Sequence, residues 1–317
     1  MSLIRVAVIG GGATPEHEVG RASARSVMSA LAPDRYRPIG FTIAGDGTWL
    51  NASDEPYPSF SAAMADLRSC EVAFAAVHGA PGEDGALAAL FELAGMPYVG
   101  CGVAAGAIAM DKQATKLIAN SLDIATAPGT VVHSVDDVVD LALPVVVKPQ
   151  SAGSSVGVSW VSEPTELQAA ITAALRVGVP ALVESAIVGR EIDIAILEGA
   201  DGQLAMGAPL EIVGADGVFD NATKYDGSAQ FVIPAPLTGD EAAELTGAAT
   251  RVFRALGCAG LARVDFFLTP DGPVLNEVNT MPGLTEHSQY PRMFAAAGVS
   301  YPQLLDRLMT TALQRHT

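Results

Sequence analysis

Four polar residues whose types suit metal and phosphate chemistry stand at alternating positions of two neighbouring segments: Arg263 and Asp265 in the first, Glu277 and Asn279 in the second. The sequence Thr-Pro-Asp-Gly-Pro, residues 269–273, separates the segments, and most of the residues beside it are apolar. Proline followed by Asp-Gly between hydrophobic runs is typical of a turn. The stretch therefore predicts a β-hairpin.

The register of this hairpin decides what its polar residues can do together. With a five-residue loop, Asp265 lies opposite Glu277, and the same register puts Arg263 opposite Asn279. Because side chains alternate along a strand, all four share one face, with opposed Cβ atoms roughly 5 Å apart. Opposed carboxylates repel unless a cation lies between them, and an all-oxygen set suits Mg²⁺ held together with substrate phosphates. The alternative is a hairpin whose polar face simply meets solvent.

Length and charge limit the classes of protein to consider. A chain of 317 residues suggests two or three domains. The net charge of −17 argues against a nucleic-acid partner, which needs a basic face. No apolar run approaches the ~20 residues that span a bilayer and no signal-peptide pattern is evident, so we expect a cytoplasmic protein without a membrane partner. The three cysteines, Cys70, Cys101 and Cys258, lack metal-site spacing and predict buried free thiols.

Lysine is rare in this chain. Only Lys112, Lys116, Lys148 and Lys224 occur, although arginine is used freely, and three of the four lie beside Gly-rich or motif-like segments. An ammonium group is a common point-charge ligand for phosphate. The sparse lysines are therefore candidates for phosphate binding.

The first hundred residues predict an open α/β domain with strands over 4–12, 37–43 and 72–77. Glu16 and His78 follow the first and third of these strands, and ligands of open α/β sheets gather at the carboxyl ends of strands. The glycine triplet that ends the first strand could belong to a dinucleotide fold, but it lacks the third glycine of that motif, and an acidic residue would meet the pyrophosphate. Glu16 could instead cap the next helix or bind a cationic group of a substrate.

A second domain is predicted from residue 101, with a Ser/Gly-rich loop over 150–157. Lys148 lies in the strand just before this loop, over 145–149. Backbone N–H groups and hydroxyls of such a loop can wrap a phosphate, although an ordinary hairpin turn is the alternative. In the same domain we predict helices over 135–141 and 165–177.

A third region is predicted over 188–317, with Glu184 and Glu191 flanking its start. Its polar, Gly-rich segment 214–229 contains Lys224 and predicts a long loop, and long loops in compact domains are commonly functional lids. A helix over 239–256 precedes the hairpin.

In this order, these segments resemble the D-alanine–D-alanine ligases of the ATP-grasp superfamily over nearly the whole chain. The resemblance is carried by Pro15-Glu16-His17-Glu18-Val19, His78-Gly79, Gly82-Glu83-Asp84-Gly85, Met110-Asp111-Lys112, Val147-Lys148-Pro149, Gly153-Ser154-Ser155-Val156-Gly157, Lys224-Tyr225, Arg263-Val264-Asp265 and Glu277-Val278-Asn279-Thr280-Met281-Pro282-Gly283.

The resemblance implies an α/β (α+β) ATP-grasp fold of three domains: an N-terminal open α/β sheet domain over 1–100, a central domain over 101–187 and a C-terminal catalytic domain over 188–317. ATP would bind between the last two domains. The implied nucleotide contacts are, for the phosphates, Lys112, Lys148, Ser155 and Lys224, for adenine, Glu184 and Ile187, and for the ribose, Glu191. Two Mg²⁺ ions, for which Mn²⁺ can substitute, would bind at Asp265, Glu277 and Asn279.

The implied catalytic residues are Glu16, which would take the ammonium of the first D-alanine, Ser154, Tyr225 and Arg263. The implied substrate-binding residues are His78, Gly283, Ser288 and Gln289. Lys116, one helical turn beyond Lys112, is expected to be dispensable.

The activity implied is the ATP-dependent joining of two D-alanines through an acyl phosphate, with ADP and phosphate released, for peptidoglycan precursor synthesis by a cytoplasmic homodimer. One alternative is another acceptor such as D-serine, because Gln289 stands in the implied second subsite and Gly20 and Val218 also depart from the family pattern. The other alternative is a nucleotide-binding paralogue without catalysis.

Overall fold

The computed structural model describes residues 3–153, 156–214 and 230–315, which form three β-sheets with helices packed against them. Four residues predicted to bind or react lie outside the described residues: Ser154, Ser155, Lys224 and Tyr225. In this described part of the chain, every helix is too short or too polar to cross a membrane.

The first sheet is open and mostly parallel, as predicted for the amino-terminal region. Its strands lie in the order Trp49–Leu50, Tyr36–Ile43, Ile4–Gly11, Val72–Ala75 and Tyr98–Val99, and only the first pairs antiparallel to its neighbour. The associated helices are His17–Ala30, Phe60–Leu67 and Ala86–Leu93. The central strands read as apolar runs because helices cover both faces of a parallel sheet. The glycine triplet has a packing role here, since a Cβ at Gly10 would lie 2.6 Å from Ala24 Cβ of the following helix.

The second sheet is antiparallel, in the order Gly129–Val132, Ala181–Ser185, Val145–Pro149 and Ser159–Val161. The helix Leu167–Leu175 covers one face and buries Ile171 against a core that includes Val147 and Val183. A single 3₁₀ turn, Pro164–Glu166, precedes this helix, so the predicted helix over 165–177 is present but shorter.

The prediction of a helix over 135–141 is wrong. This segment begins with a turn and continues without regular structure, and the Asp137 carboxylate accepts hydrogen bonds from the backbone N–H groups of His133 (2.6 Å) and Ser134 (3.0 Å). Aspartate commonly competes in this way for backbone groups that a helix would use. The apolar residues of this segment, among them Val135 and Val139, are partly buried and pack against the core of the second sheet.

The third sheet is the largest. Its main path runs in the order Gln230–Val232, Leu210–Val213, Arg190–Glu198, Leu261–Thr269, Gly272–Asn279 and Ala125–Thr126, and Leu204–Met206 pairs with Arg190–Glu198 off this path. The helix Gly239–Ala255 packs on one face and buries Leu245, Val252 and Phe253. Thr238 and Glu241 form a capping box at its start, which agrees with the predicted helix. Two more helices, Val103–Met110 and Lys112–Ser121, lead into this part of the molecule.

The last helix, Tyr301–Arg315, joins the first and third sheets. Its buried Leu304 and Leu308 belong to one core with Val6 of the first sheet and Leu197 of the third. The helix Gln289–Ala296 adds Met293 and Phe294 to the same core, among other residues. This shared core fixes the ends of the first and third sheets relative to each other.

The hairpin has the predicted register at one end and a different one at the other. Asp265 pairs with Glu277 and Arg263 with Asn279, as predicted. At the turn, however, Thr269 pairs with Gly272, so the loop has two residues rather than five. A β-bulge beside Asp265 restores the register by leaving Asn276 as an extra residue on its strand.

Candidate active site

A cavity of about 560 Å³ lies between the second and third sheets, and loops from the first sheet line one side of it. Most of the sequence-predicted site residues line this cavity: Glu16, His78, Lys112, Lys148, Glu184, Ile187, Glu191, Arg263, Asp265, Glu277, Asn279, Gly283 and Gln289. Ser288 does not line it, but lies directly behind Gly283, where an added Cβ would be 3.1 Å from Ser288 Oγ.

The face of the hairpin holds two carboxylates that positive groups neutralise. Arg263 donates two parallel hydrogen bonds to Asp265, from Nε (2.8 Å) and Nη2 (2.7 Å), and Asn279 Nδ2 donates to the same carboxylate at 2.8 Å. Lys112 Nζ lies 3.7 Å from Glu277 Oε2. Burial acts to lower the pKa of Arg263, but the nearby carboxylates outweigh it and the pKa lies well above its ordinary value. The guanidinium therefore stays charged.

The donor set of this face fits a hard divalent cation. Carboxylate and amide oxygens are the ligands that Mg²⁺ prefers, and Mg²⁺ is usually held by one or two carboxylates together with substrate phosphates. Within residues 3–153, 156–214 and 230–315, no cluster of three or more His, Cys, Asp or Glu residues could hold a metal ion by itself. A cation bound by Asp265, Glu277 and Asn279 would complete its coordination with oxygens of a ligand or of water.

Asp193 is a buried carboxyl group that sequence reasoning missed. It lies opposite Asp265 on the neighbouring strand, is fully buried, and has Oδ2 3.2 Å from Arg263 Nε. Burial and the charge of Asp265 raise its pKa well above the ordinary value, against the effect of Arg263. A single carboxylate inside the apolar run Ile192-Asp193-Ile194 was the signal that could have revealed it, because charges inside buried strands are rare unless paired.

Lys112 and Lys148 lie close to the strand that carries Glu277. Lys112 Nζ donates a hydrogen bond to the carbonyl oxygen of Ala152 at 2.6 Å, which brings the ammonium to the start of the predicted phosphate loop. Lys148 pairs with Glu184 and also lies 3.4 Å from Asn276 Oδ1. Burial lowers the pKa of Lys112, with Lys148 acting in the same direction and Glu277 against it. Asn276 was missed because the bulge that turns it toward the cavity was not predicted.

Glu184 is held by two lysines at once. Lys116 Nζ lies 2.6 Å from Glu184 Oε2, and Lys148 binds the other oxygen. Burial acts to raise the pKa of Glu184, but the two ammonium groups outweigh it and the pKa is lowered. Lys116 is itself buried, at 6% exposure, so the expectation that it is dispensable omitted a contact that the structure contains.

His78 connects the first sheet to the segment after the hairpin. Its Nδ1 lies 2.9 Å from the carbonyl oxygen of Met281, and its Nε2 lies 2.9 Å from Ser23 Oγ. A carbonyl oxygen only accepts, so Nδ1 carries a proton. His78 is 4% exposed, and these two contacts orient its ring within the cavity wall.

Glu83 makes a second link across the same junction. Its carboxylate accepts hydrogen bonds from the backbone N–H groups of Gly79 (2.7 Å) and Met281 (3.1 Å). Burial raises the pKa of Glu83 to about 7, and the charges of Glu16 and Glu277 act in the same direction. Both backbone polar groups of Met281 are therefore held by residues of the first sheet's loops.

Glu16 and Gln289 also line the cavity. A Cβ added at Gly153 would lie 3.2 Å from Glu16 Oε2, so this carboxylate faces the start of the Ser/Gly loop. Gln289 Oε1 accepts a hydrogen bond from Arg263 Nη1 at 2.8 Å. Ser288, just before it, hydrogen-bonds with Thr285, with 2.7 Å between the two hydroxyl oxygens.

Comparison with known protein families gives two matches, which together cover most of the chain. The family described as the D-ala D-ala ligase C-terminus matches residues 123–310, and the D-ala D-ala ligase N-terminus family matches residues 5–66 and 53–101. The chain belongs to the D-alanine–D-alanine ligase family.

Curated relatives of this family cover nearly the whole chain. A D-alanine–D-alanine ligase of Mycobacterium sp. (strain KMS) is 42% identical, covering 99% of this chain and 97% of that protein. A D-alanine–D-alanine ligase of Nocardia farcinica is also 42% identical, covering 99% of this chain and 98% of that protein. The resemblance stated from the sequence is thus confirmed, and the chain is an ATP-dependent ligase.

Solved structures agree with the fold. The D-alanine–D-alanine ligase of Bacillus anthracis complexed with ATP has a TM-score of 0.83 and 26% identity, covering 99% of this chain and 98% of that chain. The VanG D-Ala:D-Ser ligase of Enterococcus faecalis has a TM-score of 0.85 and 32% identity, covering 98% of this chain and 100% of that chain. The predicted α/β ATP-grasp fold is confirmed.

Proposed function

We propose that this ligase joins two D-alanine molecules into D-alanyl-D-alanine for peptidoglycan precursor synthesis, through an acyl phosphate, with ADP and phosphate released. The observation that carries the proposal is one cavity in which the Asp265/Glu277 carboxylate pair faces Lys112 and Lys148. Such an arrangement suits a nucleotide polyphosphate and its cation.

The carboxylate of the first D-alanine needs activation because it is a poor electrophile at neutral pH. Transfer of the γ-phosphoryl group of ATP to one of its oxygens gives an acyl phosphate, which has a good leaving group. Lys112 and Lys148 neutralise charge on the transferring phosphoryl group. Lys224 has the same role in this proposal, and Ser155 adds a donor to the phosphates.

The divalent cation fits the oxygens of Asp265, Glu277 and Asn279. Mg²⁺ held by these residues would neutralise charge on the phosphates of ATP. Two Mg²⁺ ions, or Mn²⁺ in their place, are proposed. Arg263 and Lys112 already compensate these carboxylates, so both must share them with the cation.

The second D-alanine attacks through its neutral amine and forms a tetrahedral intermediate. Arg263 is only 9% exposed, and its hydrogen bonds to Asp265 and Gln289 orient the guanidinium. Its remaining N–H groups therefore point in fixed directions. Fixed donors stabilise a developing oxyanion because they need no reorganisation. We assign Arg263, with the backbone at Gly283, to this oxyanion.

The first D-alanine is assigned to the wall that the first sheet contributes. Glu16 binds its ammonium, and His78 stands near its carboxylate. Ser154 and Tyr225 are assigned to the reacting groups, and Ser288 and Gln289 to the second D-alanine. Glu184 and Ile187 are assigned to adenine and Glu191 to the ribose. The homodimer and the cytoplasmic location stay predictions.

The test combines product analysis with an isotope label. ADP release is measured with a panel of D- and L-amino acids, and product masses are then determined. D-alanine labelled with ¹⁸O in its carboxylate should pass one labelled oxygen to phosphate for each dipeptide formed. Label in AMP, or unlabelled phosphate while dipeptide accumulates, would contradict the acyl phosphate. Preferential formation of a D-alanyl-D-serine product would replace the proposed acceptor, and ATP turnover with none of the amino acids would contradict the ligase.

A further inference from the structure

Lys116 belongs to a buried group of three charges that we call the lysine cluster: Lys116, Lys148 and Glu184. Lys116 lies on the helix Lys112–Ser121, and the other two lie on adjacent antiparallel strands of the second sheet. The three side chains are 7 to 8% exposed. Two ammonium groups thus share one largely buried carboxylate.

The cluster spans the cavity wall. Lys148 and Glu184 are among the residues that line the cavity, whereas in the described part of the chain Lys116 is not. Lys116 therefore meets the site only through Glu184. A residue in this place acts on a ligand by positioning another group, not by touching the ligand.

The neighbouring strand leaves room for the Lys116 ammonium. Gly129 lies opposite Glu184 in the sheet, and a Cβ added there would be 3.0 Å from Glu184 Cβ and 3.2 Å from Lys116 Nζ. Any larger residue at 129 would force these groups to shift. The contact of Lys116 with Glu184 is thus built into the strand pairing as well as the helix.

The energetic consequence follows from the burial of Glu184. A buried carboxylate that loses its partner is strongly destabilised, because its charge is then uncompensated. If Lys148 turns from Glu184 toward a phosphate, the charge of Glu184 would be left uncompensated unless a second cation holds it, because the adenine assigned to Glu184 carries no positive charge. Lys116 is that second cation, and it has no competing role in the cavity.

We propose that Lys116 is a positioning residue for ATP binding: it holds the Glu184 carboxylate so that Lys148 can exchange that carboxylate for a phosphate of ATP. This rests on the proposed function, which assigns Lys148 to the phosphates. The exchange involves contacts only, so no bond is made or broken in it.

The test measures the dissociation constant of a non-hydrolysable ATP analogue with Mg²⁺ by calorimetry on the full chain. Lys116→Met is expected to weaken this binding about tenfold or more, a change of about 1.4 kcal/mol for each factor of ten. The KM for D-alanine should stay unchanged. Thr115→Val is the matched control on the same helix, because it removes the buried hydrogen bond to the Ile108 carbonyl oxygen (2.8 Å) without touching Glu184. It should lower the melting temperature and leave the affinity for the analogue unchanged.

A double-mutant cycle separates positioning from general stability. In a Glu184→Gln background the carboxylate is gone, so adding Lys116→Met should change the affinity for the analogue by less than about twofold. If Lys116→Met alone does not fold, the comparison of Glu184→Gln with the double variant still tests the proposal, because a loss of more than about twofold there would overturn it. An equal loss of affinity in both backgrounds would overturn the proposal, because Lys116 would then act without Glu184.

Lys148→Met distinguishes this proposal from the function on which it rests. If Lys148→Met weakens binding of the analogue and Lys116→Met does not, the positioning role is wrong and the phosphate assignment of Lys148 stands. If neither variant changes the affinity, the phosphate assignment itself is wrong, and the positioning role falls with it.

Discussion

Two charged groups border the same cavity and carry opposite excess charge. The hairpin cluster, Arg263, Asp265, Glu277 and Asn279, has two carboxylates against one guanidinium on its own strands, and Lys112 comes from outside the cluster as the counter-ion of Glu277. The lysine cluster has two ammonium groups against one carboxylate. An anionic excess favours a metal cation, and a cationic excess favours phosphate. The difference shows how one cavity can hold both parts of a metal–nucleotide complex.

The clusters also differ in how they are assembled. The hairpin cluster comes from two strands joined by a two-residue turn, so its pairing is local in sequence. The lysine cluster needs a helix and two strands that are far apart along the chain, with Lys116 and Glu184 separated by 68 positions. A local cluster depends on register alone, whereas a distant one depends on how separate elements pack.

The largest expected effect tests the anionic side of this comparison. Glu277→Gln keeps the shape of the side chain and removes one charge, so the site should lose affinity for the cation. Metal neutralisation of a transferring phosphoryl group contributes several kcal/mol, which predicts a loss of roughly 100- to 1000-fold in kcat. Steady-state ADP release measures the rate, and electron paramagnetic resonance with Mn²⁺ measures the metal affinity.

The matched control for Glu277→Gln is Glu244→Gln on the helix Gly239–Ala255, away from the cavity. It should leave both the rate and the Mn²⁺ affinity unchanged. Retention of normal Mn²⁺ affinity by Glu277→Gln would remove the metal assignment of the hairpin cluster.

A smaller effect is expected on the cationic side. Lys148→Met should weaken ATP binding by about 10- to 100-fold, because a hydrogen bond to a charged group contributes about 1.5–3 kcal/mol. Folding should be affected less, since Lys116 still holds Glu184 after the change. Calorimetry with an ATP analogue gives the affinity, and urea unfolding gives the free energy of unfolding. If the variant largely unfolds while its folded fraction binds ATP normally, the role of Lys148 is structural.

The smallest effect concerns the junction between the first sheet and the segment after the hairpin. The pKa of Glu83 is raised from 4.5 to about 7 in the folded protein, so between these values the folded state binds a proton that the unfolded state has lost. The free energy of unfolding should therefore fall as pH rises through this window and level off above about pH 7.

Urea unfolding at pH 5.5 and 7.5 measures this contribution, with Glu83→Gln as the reference that cannot titrate. The stability difference between the wild type and the variant should fall by about 2 kcal/mol from the lower to the higher pH. A difference that stays constant, or rises with pH, would show that burial does not raise the pKa of Glu83 in this way.

Sequence alone determined what depends on local pattern. The apolar runs and turn residues predicted the open α/β sheet, the helix before the hairpin and the pairing of Asp265 with Glu277. The family was recognisable because its motifs are short and contiguous. A helix over 135–141 was predicted wrongly because the Asp137 carboxylate accepts hydrogen bonds from nearby backbone N–H groups. The spacing of apolar residues gives no information about such hydrogen bonds.

Tertiary structure decided which charges meet. The bulge that turns Asn276 to the cavity, the burial of Asp193 beside Arg263, and the sharing of Glu184 by Lys116 and Lys148 all involve groups whose spacing in sequence carries no signal. The physical reason is that a charge inside a protein is stable only with a partner at close range, and packing brings that partner from anywhere in the chain. For this ligase, the sequence predicted which side chains bind phosphate and metal. Packing determined which counter-ions hold those side chains in place.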